Sequence, residues 1–186
     1  TRMSSSPPTA DPDLPSPLAQ DSPEFRRVAQ HLSDHMARTE AWMLDALEGA
    51  KMLGWELDLL TNRWTSTADL PDYYGLPRGP DYTDPELALL AIHPDDVPTV
   101  IAHRQQAIES GDTIRYEFRG RVPAPDGSVR WYSTRGRALR DASGKPVRLV
   151  AVTTDVTARK RAEAERAALD RQLLDAQKWE SLGVLA

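Results

Sequence analysis

The chain has 186 residues, 40% of them hydrophobic and 27% charged, with a formal net charge of −5 at pH 7 and no cysteine. That length suits one domain of about 100 to 150 residues with extensions. The absence of cysteine excludes disulfides, thiolate nucleophiles and Cys-rich zinc sites, and the acidic balance argues against a nucleic-acid phosphate backbone as the main partner. The longest aliphatic run, Leu87 to Ile92, is far short of the roughly 20 residues that cross a bilayer. No charged-then-apolar leader precedes it, so a cytoplasmic protein is expected.

Residues 1–23 hold six of the fifteen prolines and almost no large apolar side chains, the composition of a disordered segment. From Glu24 the pattern changes. Phe25, Val28, Leu32 and Met36 recur at steps of three and four, followed by Trp42, Met43, Ala46 and Leu47, which predicts an amphipathic helix over 24–49. Its apolar stripe needs a cover, either the outer face of a sheet or the same helix in a partner subunit. Met52 to Leu59 and Arg63 to Ser66 read as two strands joined at Thr61-Asn62. Short helices follow over Ala68 to Tyr74 and Asp84 to Ile92, and a longer one, capped by Asp95 or Asp96 with Pro98 in its first turn, runs to about Glu109 before Ser110-Gly111.

The last third alternates cleanly. Ile114, Tyr116 and Phe118 fall on one side of a strand and Arg115, Glu117 and Arg119 on the other. Asp126-Gly127 turns the chain into Val129 to Thr134, and Asp141 to Gly144 turns it into Pro146 to Thr153, an antiparallel meander. Beyond Asp155-Val156-Thr157, residues 158–186 lack proline and read as one helix. Ala162, Leu169, Leu173, Ala176 and Trp179 step mostly by three, four or seven along it, a coiled-coil seam.

The order Asp126-Gly127, Arg130-Trp131, Gly144, then Asp155-Val156-Thr157 with Arg159-Lys160, resembles the C-terminal half of a PAS domain, the PAC motif. Gly54 to Asp58, Tyr74-Gly75-Leu76 and Ile92 to Asp96 extend the resemblance upstream, and Gln177 to Ala186 resembles the opening of the dimerisation helix of sensor histidine kinases, with Trp179 where Met is usual. The resemblance implies an α+β fold: a five-stranded antiparallel sheet with short helices on one face over 50–157, flanked by an N-terminal amphipathic helix and a C-terminal coiled-coil helix. It also implies a homodimer, a kinase catalytic region beyond Ala186 with ATP and a response regulator as its partners, and Asp155, Val156 and Thr157 as the transmitting junction. The fragment itself shows no nucleotide-binding glycine motif.

Candidate chemistry is sparse. Trp55, Trp64, Tyr116, Phe118 and Tyr132 have the makeup of a small-molecule cavity and equally of a packed core, and the pattern leaves open which of Trp131 and Tyr132 points inward. His103 lies on the long helix where haem-binding PAS relatives carry an axial ligand, without any haem-specific neighbours. The cysteine adduct of the family's flavin photoreceptors has no residue to form on. His31 and His35 lie one turn apart with no third ligand in view, and the His93 to Asp96 group reads as a helix entry, so no metal site and no catalytic residue are expected. The arginines at 115, 119, 121, 130, 135, 137 and 140 read as a solvated sheet face with Arg–Glu pairs. The function expected is a sensory, dimerising module of a histidine kinase; the rivals are a constitutive protein-interaction PAS module, a diguanylate cyclase input, and a stand-alone enzyme.

Overall fold

The computed structural model describes residues 22–111 and 113–183, with side chains as far as 178. The proline-rich stretch to residue 21 and the side chain of Trp179 therefore lie outside the described residues. A five-stranded antiparallel sheet in the order β2-β1-β5-β4-β3 is built from β1 (Met52–Asp58), β2 (Arg63–Ser66), β3 (Thr113–Arg119), β4 (Trp131–Arg140) and β5 (Pro146–Asp155). Between β2 and β3 come α2 (Leu70–Tyr74), α3 (Pro85–Ala88) and α4 (Val97–Ser110), whose apolar sides close one face of the sheet. The helix α5 (Thr157–Gly183) follows β5 after a single residue.

The strand period decides the core. Ile114, Tyr116 and Phe118 are buried while Arg115 and Glu117 are exposed, and on β4 it is Tyr132 that points in, at 1% exposure, with Trp131 on the outer side. In register across the sheet, Ile114 faces Gly136, Gly136 faces Ala151 and Ala151 faces Trp55, so a row of small residues lies between two large ones. Gly136 is required there for space: a Cβ on it would sit 2.2 Å from the carbonyl oxygen of Val150. The turn at Gly127, with φ of 77°, needs glycine for its backbone angle. Asp126 Oδ1 accepts from the Ser128 amide beside it.

The entry to α4 differs from the cap expected of Asp95 or Asp96. Asp96 makes no side-chain cap; its carboxylate instead accepts from the backbone N–H of Arg119 at 2.7 Å and from the Arg119 guanidinium at 2.6 Å. A local amide competes with a guanidinium brought across by β3, and the charge-assisted pair wins. His93 N–H donates to Arg119 O and Arg121 N–H to Ala91 O, so the segment leading into α4 is laced onto the end of β3. At the other end of α4, Arg140 donates to the carbonyls of Ile108 and Glu109, satisfying acceptors that the helix cannot satisfy itself.

The helix α1 (Pro23–Gly49) buries none of its residues. Its stripe is open, with Phe25 51%, Leu32 56% and Met36 70% exposed. No helix among the described residues is long and apolar enough to cross a membrane.

Gly136→Ala is expected to lower stability in urea unfolding by at least about 1–3 kcal/mol, the scale of core overpacking; a variant as stable as the parent would mean that β4 and β5 can part locally at no cost. The Asp96 pair gives a second expectation. Its hydrogen bonds from Arg119 hold the Asp96 carboxyl below the ordinary range in the folded state. The stability it contributes is thus present above the unfolded value of about 4 and lost as pH falls through the lowered folded value. Asp96→Asn should be less stable than the parent at pH 7, and the difference should shrink below about pH 4, as read by denaturant titration at each pH.

Candidate functional site

The five aromatic residues singled out from the pattern do meet in the interior. Trp55 and Trp64, on neighbouring strands, stack with ring centroids 4.2 Å apart and planes 20° apart. Phe118 stacks on Tyr132 at 5.4 Å and tilts against Tyr116 at 6.0 Å. They are close-packed: the void lined by four of them, Trp55, Trp64, Tyr116 and Phe118, has a volume of only about 10 Å³, room for about one water. Tyr74 of α2 closes the aromatic wall against Tyr132 at 4.8 Å, and burial pushes its hydroxyl pKa well above the usual tyrosine value.

Three further residues shape this interior without having stood out in the pattern. Thr153 Oγ1 accepts from Trp55 Nε1 at 3.0 Å and shares a hydrogen bond with Thr134 Oγ1 at 2.8 Å, a hydroxyl pair at the middle of the sheet. Both threonines occupy inward positions by alternation, so the period did contain the signal. Arg104 lies on the inner stripe of α4, four residues after Val100 and three before Ala107, both buried. Its Nε donates to Tyr116 Oη at 3.1 Å, and its guanidinium carbon lies 5.1 Å from the ring centroids of both Trp55 and Trp64. His103, one residue earlier, is exposed and rests its ring on Tyr116 at 5.9 Å; it does not line the void, so α4 presents arginine rather than histidine to the interior. A void of this size, in a chain with no cysteine, does not fit a flavin ring or its thiol adduct.

The exit from the sheet is the second part of the site. Val156 N–H donates to Trp131 O at 2.8 Å, and Trp131 N–H donates to Thr157 Oγ1 at 2.9 Å, so both backbone groups of the first β4 residue are tied to the junction. Thr157 therefore spends its hydroxyl on β4 rather than on the first turn of α5, where a cap would have placed it; Asp155 Oδ1 accepts from the Thr157 amide in its stead. Three consecutive basic residues then clasp the sheet. Arg159 and Lys160 reach Glu117 on β3 at 2.5 and 2.6 Å, and Arg161 reaches Asp126 in the β3–β4 turn at 2.9 Å. Lys160 foremost, with Arg159, holds the Glu117 carboxyl below its usual range; hydrogen bonds from Ser128, with Arg161 adding to them, push Asp126 down to about 2. Lys160 also lies 5.0 Å above the Trp131 ring. Further along α5, Ala162, Leu169, Leu173 and Ala176 are all exposed. Among the described residues no group of three or more His, Asp or Glu is placed to hold a metal.

Comparison with known proteins follows the same lines. A family described as the PAS fold matches residues 73–153. The chain is 29% identical over 151 residues to a blue-light-activated histidine kinase of Brucella anthropi, a match covering 81% of this chain and 29% of that protein; the Brucella ovis counterpart is 28% identical over the same shares. The chain thus spans under a third of the length of these relatives. Among solved structures, a sensory box histidine kinase/response regulator from Burkholderia thailandensis is 30% identical with a TM-score of 0.50, over 70% of this chain and 95% of that one. The N-terminal domain of a diguanylate cyclase with a PAS/PAC sensor from Marinobacter aquaeolei, 20% identical with a TM-score of 0.50 over 59% of this chain and 98% of that one, shares the fold. Sheet order, inward aromatic face and sequence similarity agree: the chain belongs to the PAS domain family.

Proposed function

We propose that this chain is the sensory and dimerising module of a cytoplasmic two-component histidine kinase, in which the state of the sheet is passed through Asp155, Val156 and Thr157 to α5. The kinase would transfer a phosphoryl group from ATP to a histidine beyond Ala186, and onward to a response regulator. The observation that carries the reading is the clasp at the start of α5. Two backbone hydrogen bonds to Trp131 and ion pairs from Arg159, Lys160 and Arg161 to Glu117 and Asp126 fix the first turn of the helix to β3 and β4. Each exposed pair alone is worth little, about 0–1 kcal/mol. Several on one helical turn, together with the backbone bonds, oblige the turn to follow any shift of the strands.

The exposed stripes support the dimer. Leu169 and Leu173 of α5 are 55% and 62% exposed, four residues apart on one face, and α1 carries its own open stripe. Light scattering should give a dimer mass at tens of micromolar, weakened by removal of the residues after Thr157; an unchanged monomer in both cases rules out pairing through these helices. A constitutive interaction module is the second reading, favoured by the near absence of internal void.

Helix geometry separates the two readings. One residue inserted after Arg161 turns the rest of α5 by about 100°, whereas seven return it to within about 20°. In the full-length kinase, autophosphorylation should fall with one inserted residue and recover with seven. A smooth dependence on insertion length would make α5 a tether and leave the constitutive reading.

A further inference from the structure

The interior has a surplus of hydrogen-bond donors and one unbalanced charge. Arg104 is the single charged side chain lining the central void, and no carboxylate lines it. Its Nε is satisfied by Tyr116, while neither Nη1 nor Nη2 has a hydrogen-bond or ion-pair partner among the described residues. Trp64, only 4% exposed, lines the same void, and its buried Nε1 also lacks a partner. Trp55 Nε1, by contrast, is taken up by Thr153. The buried indole N–H of Trp64, without an acceptor, is costly, since desolvation removes its water partner, whereas the Nη groups of the half-buried Arg104 still reach solvent and are open to a ligand. One anionic acceptor would satisfy them together, and a carboxylate matches the guanidinium fork.

A route to this point is also built in. A groove of about 610 Å³, within the usual range for small-molecule sites, runs along Trp64 to Pro71 and Arg78 to Thr83. Trp64 and Leu70 line both this groove and the internal void, so these two side chains are the partition between them. Arg78 at the groove is already paired with Asp69 and Asp72, which leaves Arg104 as the cation available to an acid.

We propose that the void is the recognition point for the carboxylate of a small organic acid, held by the free Nη groups of Arg104 and by Nε1 of Trp64, with the body of the acid in the adjoining groove. The proposal rests on the reading of the domain as a sensor and names the ligand class that it would sense. The void holds about one water, so entry requires Trp64 and Leu70 to part, which moves β2 and α2 against β1. An acid that binds the parted state better than the closed one thereby shifts the population of the sheet.

The test uses the 186-residue chain and pairs of acids and amides: acetate with acetamide, propionate with propionamide, benzoate with benzamide, all at constant ionic strength. The probe is the indole N–H resonance of Trp64 in two-dimensional NMR, assigned by its loss in Trp64→Phe. At least one acid should move that resonance saturably while its amide does not, and Arg104→Gln should weaken the binding at least tenfold. Should Arg104→Gln fail to fold by circular dichroism, Arg104→Lys keeps the charge and removes the fork; it should fold and bind more weakly than the parent. No saturable shift with any acid, equal response to the amides, or undiminished affinity in the folded Arg104 variant overturns the proposal. Saturable acid binding alongside a kinase without the seven-residue period would leave this site standing and remove the transmission reading instead.

Discussion

The last strand of the chain, β5, lies in the middle of the sheet, and the rest of the fold depends on that placement. β1 and β2 pair on one side of it and β4 and β3 on the other, so the two halves of the sheet are joined through β5 alone. Thr153, near the C-terminal end of this strand, accepts from Trp55 of one half and shares a hydrogen bond with Thr134 of the other. Two residues later the strand ends at Asp155 and α5 begins. Whatever displaces one half of the sheet against the other must displace β5, and the helix is continuous with it.

The interior and the exit obey different physics. Inside, aromatic stacking and a pair of threonine hydroxyls fill the space so fully that only a water-sized gap remains, and Trp64, whose buried Nε1 lacks a partner, lines that gap. At the exit the ion pairs are solvated and individually weak, and the two bonds to the backbone of Trp131 hold the turn to β4. The outer face adds a repulsive element, since Arg115 and Arg135 lie directly opposite on β3 and β4.

Much of this was legible in the residues. Alternation at Ile114, Tyr116 and Phe118 showed the buried face of β3, and two strands and a three-stranded meander could be read off the chain, while their union in one five-stranded antiparallel sheet came from the PAS resemblance. The side of Trp131 and Tyr132 was not legible, because both are large and aromatic and the period says only that they point oppositely; register with Phe118 and Asp155 decides it. Asp96 was misread because, although a good local capping residue, it is drawn into a longer-range bond to Arg119 that sequence spacing cannot reveal. Arg104 was overlooked because an arginine interrupting the Val100–Ala107 stripe reads as surface, although its position on the helix placed it with the core.

The central claim is that α5 is held to the sheet as a continuation of it. Native-state hydrogen exchange at the amides of Trp131 and Val156 tests this most directly, because Trp131 donates to Thr157 Oγ1 and Val156 to Trp131 O. The account predicts protection at both comparable to that of the paired amides at the centres of β4 and β5. Exchange at either as fast as in the distal turns of α5 would contradict it, for the helix would then be hinged free of the strands that are supposed to move it.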